Sequence, residues 1–524
     1  MLESKQYNFK HGRNAFACAE RKVMKKIISV LLLVCMLIPV MASCGEKKPT
    51  GDVTTPSASV TTAGPDVEVT TAVPETTAWP DVPEDINYEN YEFTILACTA
   101  GSIVFQDFTI ENEGYDVVND AIFRRNSEAE EILGIVLVPH EEYGDVNHLG
   151  TDIMKKNFSA AESLYDLCAL TTWQAANSAA AGYLVDLNEI PYIDLTQSWW
   201  DQRTNIDLGI GGKMFYTNGD IGITDNFATH CILFSKPLAE EKGIKDIYDL
   251  VLDYKWTWDK FEEYSLMVSE DLNGDDVMNE YDQYGLLCWN DAFQASFGGA
   301  RSKICSVNAE TGALELTMWS DRNAALVERI TGLCFNRLNS INTSAVPGVN
   351  ANIGGQLVMF SNGQGLFCTT IFKNVPQLRD VEMDFGIIPY PLYDSEQKEY
   401  GGYVSATYSN MYSVEYYNKD LERTGIVTEV LACLSQKCVT PAYYEHTLKG
   451  REARDEESVK CLDIIFANRS FDPGVFYRVA DYTGSLTSMM KSLSNNFQNI
   501  YEVSKRPATI KVKNINKSYG VTEQ

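Results

Sequence analysis

Asp271, Asn273, Asp275, Val277, Asn279 and Asp282 stand at positions 1, 3, 5, 7, 9 and 12 of the twelve-residue stretch DLNGDDVMNEYD. With Val277 giving a backbone carbonyl and the others side-chain oxygens, this spacing offers the hard donors of a calcium loop. Two positions depart from the usual pattern. Asp276 occupies the place where glycine makes the sharp turn, and Asp282 the place where a longer glutamate binds with both oxygens. Both departures weaken a Ca2+ site, and the alternative is an acidic, solvated turn. A second set of residues suits a different chemistry. Trp173, Trp199, Trp200, Tyr216, Trp289 and Tyr390 lie in segments rich in Asp, Asn, Gly and Gln. An indole or phenol stacks on the apolar C–H face of a pyranose, while Asp201, Asp220, Asn290 and Asp291 nearby could bond its hydroxyl rim.

The elements around these residues decide what they can do. Upstream of the acidic loop, WTWDKFEEYSLMVSE predicts a helix capped by Thr257, with Trp258, Phe261, Leu266 and Val268 on its apolar period. Downstream, QYGLLCW predicts a strand. A loop with a helix on one side only cannot change an interhelical angle, so the reading is a structural staple. Farther upstream, YEFTILA, IVLVP and LYDLCALT predict strands. They alternate with helices over DVVNDAIFRRNSEAEEILG, where Val118, Ile122, Ala129, Ile132 and Leu133 share a face, and around DIMKKNFSAA. That alternation implies a parallel sheet with right-handed crossovers and a ligand crevice beyond the carboxyl ends of its strands. Trp173 follows the third strand and Trp289 the later one, so both fall at such ends. Trp199 and Trp200, if extended, point to opposite faces, so at least one is packing. Tyr390 either lines the cleft or braces a hinge. Asp220 in NGDIG is either a turn residue or a ligand contact.

The amino-terminal region reads as an address. From Met24, MKKIISVLLLVCMLIPVMASCG has two lysines, an apolar run and small residues before Cys44, the form of a secretory signal and short for a membrane span. Residues 45–88 are rich in Thr and Pro with few large apolar side chains, and predict a disordered tether. A formal net charge of −29 over 524 residues argues against nucleic acid as partner. The thirteen cysteines are scattered without paired spacing, which predicts buried free thiols, and the five histidines form no zinc pattern. The basic stretch KRPATIKVKNINKSYG predicts a solvated end. No GxSxG or HExxH motif occurs and no acid pair stands out by context, which argues against an enzyme.

The ending MASC resembles the lipobox of bacterial lipoproteins. That resemblance implies a lipid on Cys44, residues 24–44 as its signal, and residues 1–23 as an extension ahead of the true start. The segments AAAGYLVDLNEIPYIDLTQSWWDQ, GKMFYTNGDI, YKWTWDKFEEYSLMVSEDLNGDDVMNEYDQYGL and MDFGIIPYPLYDSEQKEY resemble the family 1 extracellular solute-binding proteins of bacterial ABC importers, over residues 90–500. The resemblance implies an α/β, periplasmic-binding-protein-like fold over residues 89–524, with two lobes joined by hinge strands and a ligand cleft between them. It also implies a sugar or oligosaccharide ligand, an ABC permease as partner, a monomer held to the outer face of the membrane through Cys44, and a structural Ca2+. In that family a segment like FSNGQGLF leads a helix that faces the cleft. The alternatives are the same scaffold holding a peptide or other polar solute, and a secreted glycan-active enzyme, which would need two opposed carboxylates.

Overall fold

A computed structural model describes residues 79–99, 107–110, 112–114, 116–346 and 355–521. Cys44, the signal segment and residues 45–78 lie outside the described residues. The strands are β1 (Tyr91–Thr99), β2 (Ile135–Tyr143), β3 (Leu167–Thr171), β4 (His230–Ser235), β5 (Tyr284–Cys288), β6 (Cys305–Val307), β7 (Leu314–Leu316), β8 (Ser340–Asn342), β9 (Gly365–Ile371), β10 (Phe385–Ile388) and β11 (Asn410–Ser413). The helices that frame them are α1 (Val117–Leu133), α2 (Leu149–Ala160), α3 (Thr172–Ala180), α4 (Trp258–Leu266), α5 (Leu421–Pro441), α6 (Glu456–Ala467), α7 (Tyr482–Ser492) and α8 (Phe497–Ser518).

Two sheets organise the chain. In the first, β1 pairs in parallel with both β2 and β3, and β11 returns antiparallel along β3, giving the order β11-β3-β1-β2. The alternation of strand and helix read from the sequence is present, with α1 and α2 as crossovers. Asp116 starts α1 by accepting the N–H groups of Val118 and Asn119, and Gly134 ends it at a left-handed φ of 61°. Val118, Ile122, Ala129 and Leu133 are buried as the period predicts, but Ile132 is 40% exposed. It precedes Leu133 by one residue, about 100° around the helix, so the two cannot share the buried stripe fully.

The second sheet has the order β10-β4-β9-β5-β8, with β5 parallel to β8 and β9, and β4 antiparallel to its neighbours. The chain crosses between the sheets at Ala228–His230 and again at Tyr403–Ser405, and the two crossings pair with each other. His230 N–H donates to the Tyr403 carbonyl at 3.0 Å and Ser405 N–H to that of Ala228 at 2.9 Å. A third passage runs from α5, packed on α1, to α6, packed on β10. This is the two-lobed α/β arrangement with hinge strands. Among the described residues no helix is long and apolar enough to cross a membrane. All ten described cysteines are free, and nine of them are buried.

Three expectations are corrected here. Residues 79–88, assigned to the tether, fold onto the first lobe: Val82, Ile86 and Tyr88 pack against its core, and Tyr88 N–H donates to the Leu133 carbonyl at 2.9 Å. The basic stretch near the end belongs to α8, which buries Phe497, Ile500, Tyr501, Ala508, Val512 and Ile515 on one face and leaves its lysines outside. FSNGQGLF closes one helix (Gly355–Ser361) and opens β9, with Gly363 turning the chain at φ 76°, so it leads no helix.

Candidate functional site

At one edge of the second sheet, β5 ends and sets Trp289, Asn290 and Asp291 beyond its carboxyl terminus. His230 begins β4 at the same edge, paired with Ile371 at the end of β9. Its imidazole lies 6.2 Å from the Trp289 ring at 27°, 5.2 Å from Tyr403 and 6.5 Å from Tyr390. His230, Tyr390 and Trp289 are 1%, 2% and 4% exposed, respectively. Yet the Trp289 Nε1, the Tyr390 hydroxyl and both His230 nitrogens have no hydrogen-bond partner in the protein. A buried polar group without a partner is costly, and here two such atoms lie beside an imidazole whose own two nitrogens are also unpartnered, which makes the cluster a candidate for ligand contact. Burial drives the His230 pKa down to about 3, so the ring is neutral and offers one donor and one acceptor. Beside it, Asn290 accepts from Ser344 Oγ at 2.7 Å and donates to Asp291 at 2.8 Å. Burial pushes the Asp291 carboxyl up to about 6, with Lys491 opposing the shift.

The first sheet presents a matching edge. At the end of β3, Thr171 N–H donates to Gln174 Oε1 at 3.3 Å and α3 begins, with Trp173 in its first turn. Trp173 Nε1 is buried without a protein partner, as is Asn410 Oδ1, across from Thr171 in β11. The Arg478 guanidinium sits 4.4 Å from the centroid of the Trp173 ring. The sequence placed Trp173 just beyond one strand and Trp289 and Asn290 just beyond another, which is where they stand, after β3 and β5; Tyr390 follows β10. His230, Asn410 and Arg478 were missed. A single histidine opening the apolar run HCILFS reads as core; its position as the first residue of a strand was the only available signal.

Trp199, Trp200, Tyr216 and Asp220 are elsewhere, and their assignment as ligand contacts is corrected. The backbone turns at Trp199 and Trp200, where Trp200 N–H donates to the Gln197 carbonyl at 3.1 Å, so strand alternation does not apply. Both indoles point into the first core, and both donate to Glu429, at 2.6 Å and 2.7 Å. Tyr216 is buried with its hydroxyl donating to that of Tyr477 at 3.0 Å. Asp220 accepts from Thr440 at 2.7 Å and Gln436 at 2.9 Å, tying its turn to α5. Burial pushes its carboxyl up to about 6.

The acidic loop links α4 to β5. Asp271 accepts the N–H groups of Gly274 and Asp276 at 2.7 Å and 2.8 Å, Asn273 accepts that of Asp275, and Asp275 that of Val277. Asp276 adopts φ 61°, the conformation for which position 6 ordinarily recruits glycine. Asp282 is buried and takes the N–H groups of Asn279 at 2.7 Å and Leu272 at 3.1 Å. Asn279 Nδ2 donates to the Val277 carbonyl at 2.8 Å. The donor set, all oxygen, fits a hard cation. Among the described residues no three His, Cys, Asp or Glu side chains are already gathered around a metal position.

No family model and no curated protein matches this chain. Solved structures do. The galacto-N-biose/lacto-N-biose I-binding protein of an ABC transporter from Bifidobacterium longum, in complex with lacto-N-biose, superposes with a TM-score of 0.54 at 13% identity, covering 83% of this chain and 99% of that one. The cyclic alpha-maltosyl-1,6-maltose binding protein of Arthrobacter globiformis gives 0.53 at 15% identity, over 81% and 100% of the two chains. A family 1 extracellular solute-binding protein from Bifidobacterium longum subsp. infantis gives 0.50 at 13% identity, over 83% and 100%. The fold is that of the family 1 extracellular solute-binding proteins. In that fold the edges carrying Trp173 and Trp289 belong to different lobes, one on each side of the paired crossings at Thr229 and Val404.

Proposed function

We propose that this protein is the extracytoplasmic solute-binding component of an ABC importer, and that it captures a carbohydrate, an oligosaccharide above all, between its lobes. The observation that carries this reading is the set of buried, unpartnered polar atoms beside aromatic rings at both sheet edges: Trp173 Nε1 and Asn410 Oδ1 on one lobe, and Trp289 Nε1, Tyr390 OH and His230 on the other. Sugars supply what these atoms lack, a rim of hydroxyls that donate and accept around a ring whose faces stack on indole. Structures of the same fold are described as binding lacto-N-biose and cyclic alpha-maltosyl-1,6-maltose, which agrees with this choice. Trp173 and Trp289 then stack on the ligand from opposite lobes. Closure about the paired crossings brings both sets of contacts onto one ligand, and the permease distinguishes the closed form from the open one. A lipid on Cys44 would hold the protein at the outer face of the membrane, as a monomer, and Ca2+ on the acidic loop would brace one lobe without touching the sugar.

A thermal-shift screen of the mature protein against neutral and acidic oligosaccharides and peptides tests the reading, since a ligand that binds only the folded form raises its melting temperature. A saccharide series that shifts the melt, with no product on long incubation, supports it. Shifts with peptides alone replace the cargo, and breakdown of a glycan replaces the function.

A further inference from the structure

The segment that carries Arg478 holds a strained backbone. Arg478, Ala480 and Asp481 all have left-handed backbones, at φ 47°, 49° and 53°, and none is glycine. Such conformations persist in L-residues only where the surroundings enforce them, and they concentrate at functional positions. The enforcement here is visible. Tyr477, Val479 and Tyr482 are buried anchors. The Tyr477 hydroxyl bonds those of Tyr216 and Tyr519, and Tyr482 donates to the Tyr501 carbonyl at 3.2 Å. Between the anchors, Arg478 and Asp481 are exposed. The outcome is a fixed ledge that lays the Arg478 guanidinium over the Trp173 ring, 4.4 Å from its centroid.

Once there, the guanidinium makes no ion pair or side-chain hydrogen bond with any described residue. Asp145, in the loop after β2, feels its charge without forming an ion pair with it, and Asp481 follows three residues on along the same ledge. Stacking on an indole occupies the face of a guanidinium and leaves its in-plane N–H donors free, the arrangement that binds a carboxylate with two parallel bonds. Resting on the reading of the cleft as a saccharide site, we propose that Arg478 is a specificity-determining residue and that the ligand is an acidic saccharide. A uronic acid unit sits against Trp173, with its carboxylate held by the free edge of Arg478.

The test is calorimetric titration of the mature protein with two matched pairs: trigalacturonic acid against galactotriose, and a glucuronic acid-substituted xylotriose against xylotriose. The acidic member of at least one pair is expected to bind at least tenfold more tightly than its neutral counterpart, and the preference to shrink as sodium chloride is raised. Arg478→Gln should bring the two within about twofold by weakening only the acid. Arg478→Gly should do the same while melting at or above the wild-type temperature, because glycine accepts the left-handed backbone without strain. That second variant separates lost recognition from lost folding. Equal affinity within both pairs, or a preference untouched by Arg478→Gln, overturns the inference and leaves the saccharide reading standing. Failure of all four saccharides to bind overturns the inference, and a thermal-shift screen in which no saccharide binds overturns the reading beneath it.

Discussion

Two groups of buried aromatic residues in this chain are alike in type and opposite in hydrogen bonding. In the first lobe, Trp199 and Trp200 bury both indoles and satisfy both N–H groups on one carboxylate, Glu429, which also accepts the Asp194 N–H at 2.9 Å. In the second, Trp289, Tyr390 and His230 are as deeply buried, and every polar atom of their rings lacks a protein partner. Burial alone would class the two together. Hydrogen bonding separates them: the polar atoms of the first pair are answered within the protein, while those of the second are left available to a ligand.

The contrast breaks if Glu429 matters to binding, or Trp289 to folding alone. Glu429→Ala empties the acceptor of two buried indoles, so it should lower unfolding free energy by about 3 kcal/mol while leaving the ligand affinity of the folded protein unchanged. Urea unfolding and titration calorimetry read the two quantities. A milder pair sharpens the point. Trp199→Phe leaves Glu429 Oε2 with no donor and should cost about 2 kcal/mol of stability with no loss of affinity. Trp289→Phe orphans nothing in the protein, so it should cost less stability, yet weaken saccharide binding about tenfold, or about 1.4 kcal/mol. If Trp199→Phe weakens binding and Trp289→Phe does not, the assignments of the two clusters must be exchanged.

The first lobe was legible in the sequence because its strands alternate in character with amphipathic helices whose ends carry their own signals, Asp116 at the start of α1 and Gly134 at its close. The positions of Trp173 and Trp289 just beyond β3 and β5 were legible by the same logic, since the apolar runs that end before them read as strands. What escaped depended on contacts distant in the chain. The Trp199–Trp200 pair turns toward Glu429, 230 and 229 residues away, which no local pattern records. His230 owes its meaning to Trp289, Tyr390 and Tyr403, and Arg478 to Trp173. The helix α8 was hidden by its lysines and by Pro507, although Ala508, Val512 and Ile515 keep its period.

The two clusters should also titrate with opposite sign. Burial raises Glu429 from 4.5 to about 7, so the folded lobe favours its protonated form. That stabilisation is complete below about 4.5 and is lost as pH rises through 7. Burial lowers His230 from 6.5 to about 3, so the folded lobe favours the neutral ring, and that contribution is present above 6.5 and lost as pH falls toward 3. The two oppose each other in the shared window and leave a smaller net dependence in the wild type. Melting temperatures from pH 4 to 8 should therefore diverge in the variants. Relative to wild type, Glu429→Gln gains stability as pH rises, and His230→Gln gains it as pH falls. Parallel profiles for all three proteins would remove the electrostatic half of the contrast.

The smallest effect is expected from the acidic loop, which lies on the second lobe but joins neither cluster. Tyr284, at the start of β5, donates to the Asn279 carbonyl at 2.9 Å, and Gln283 donates to that of Val268 at 2.8 Å, so the loop is fastened to the sheet whose far end carries Trp289. With Asp276 and Asp282 in place of glycine and glutamate, a dissociation constant on the order of 10⁻⁴ M is appropriate. At roughly tenfold excess, Ca2+ then stabilises the fold by about 1.4 kcal/mol. In a domain of this size that amounts to a rise of roughly 2 °C in melting temperature. Asp271→Ala should abolish the rise, and saccharide affinity should stay the same with calcium or chelator, because the loop lies before one end of β5 and Trp289 beyond the other. An equal rise with magnesium would reduce the loop to an acidic turn that any cation screens, and saccharide binding that vanished on chelation would move the loop into the binding machinery.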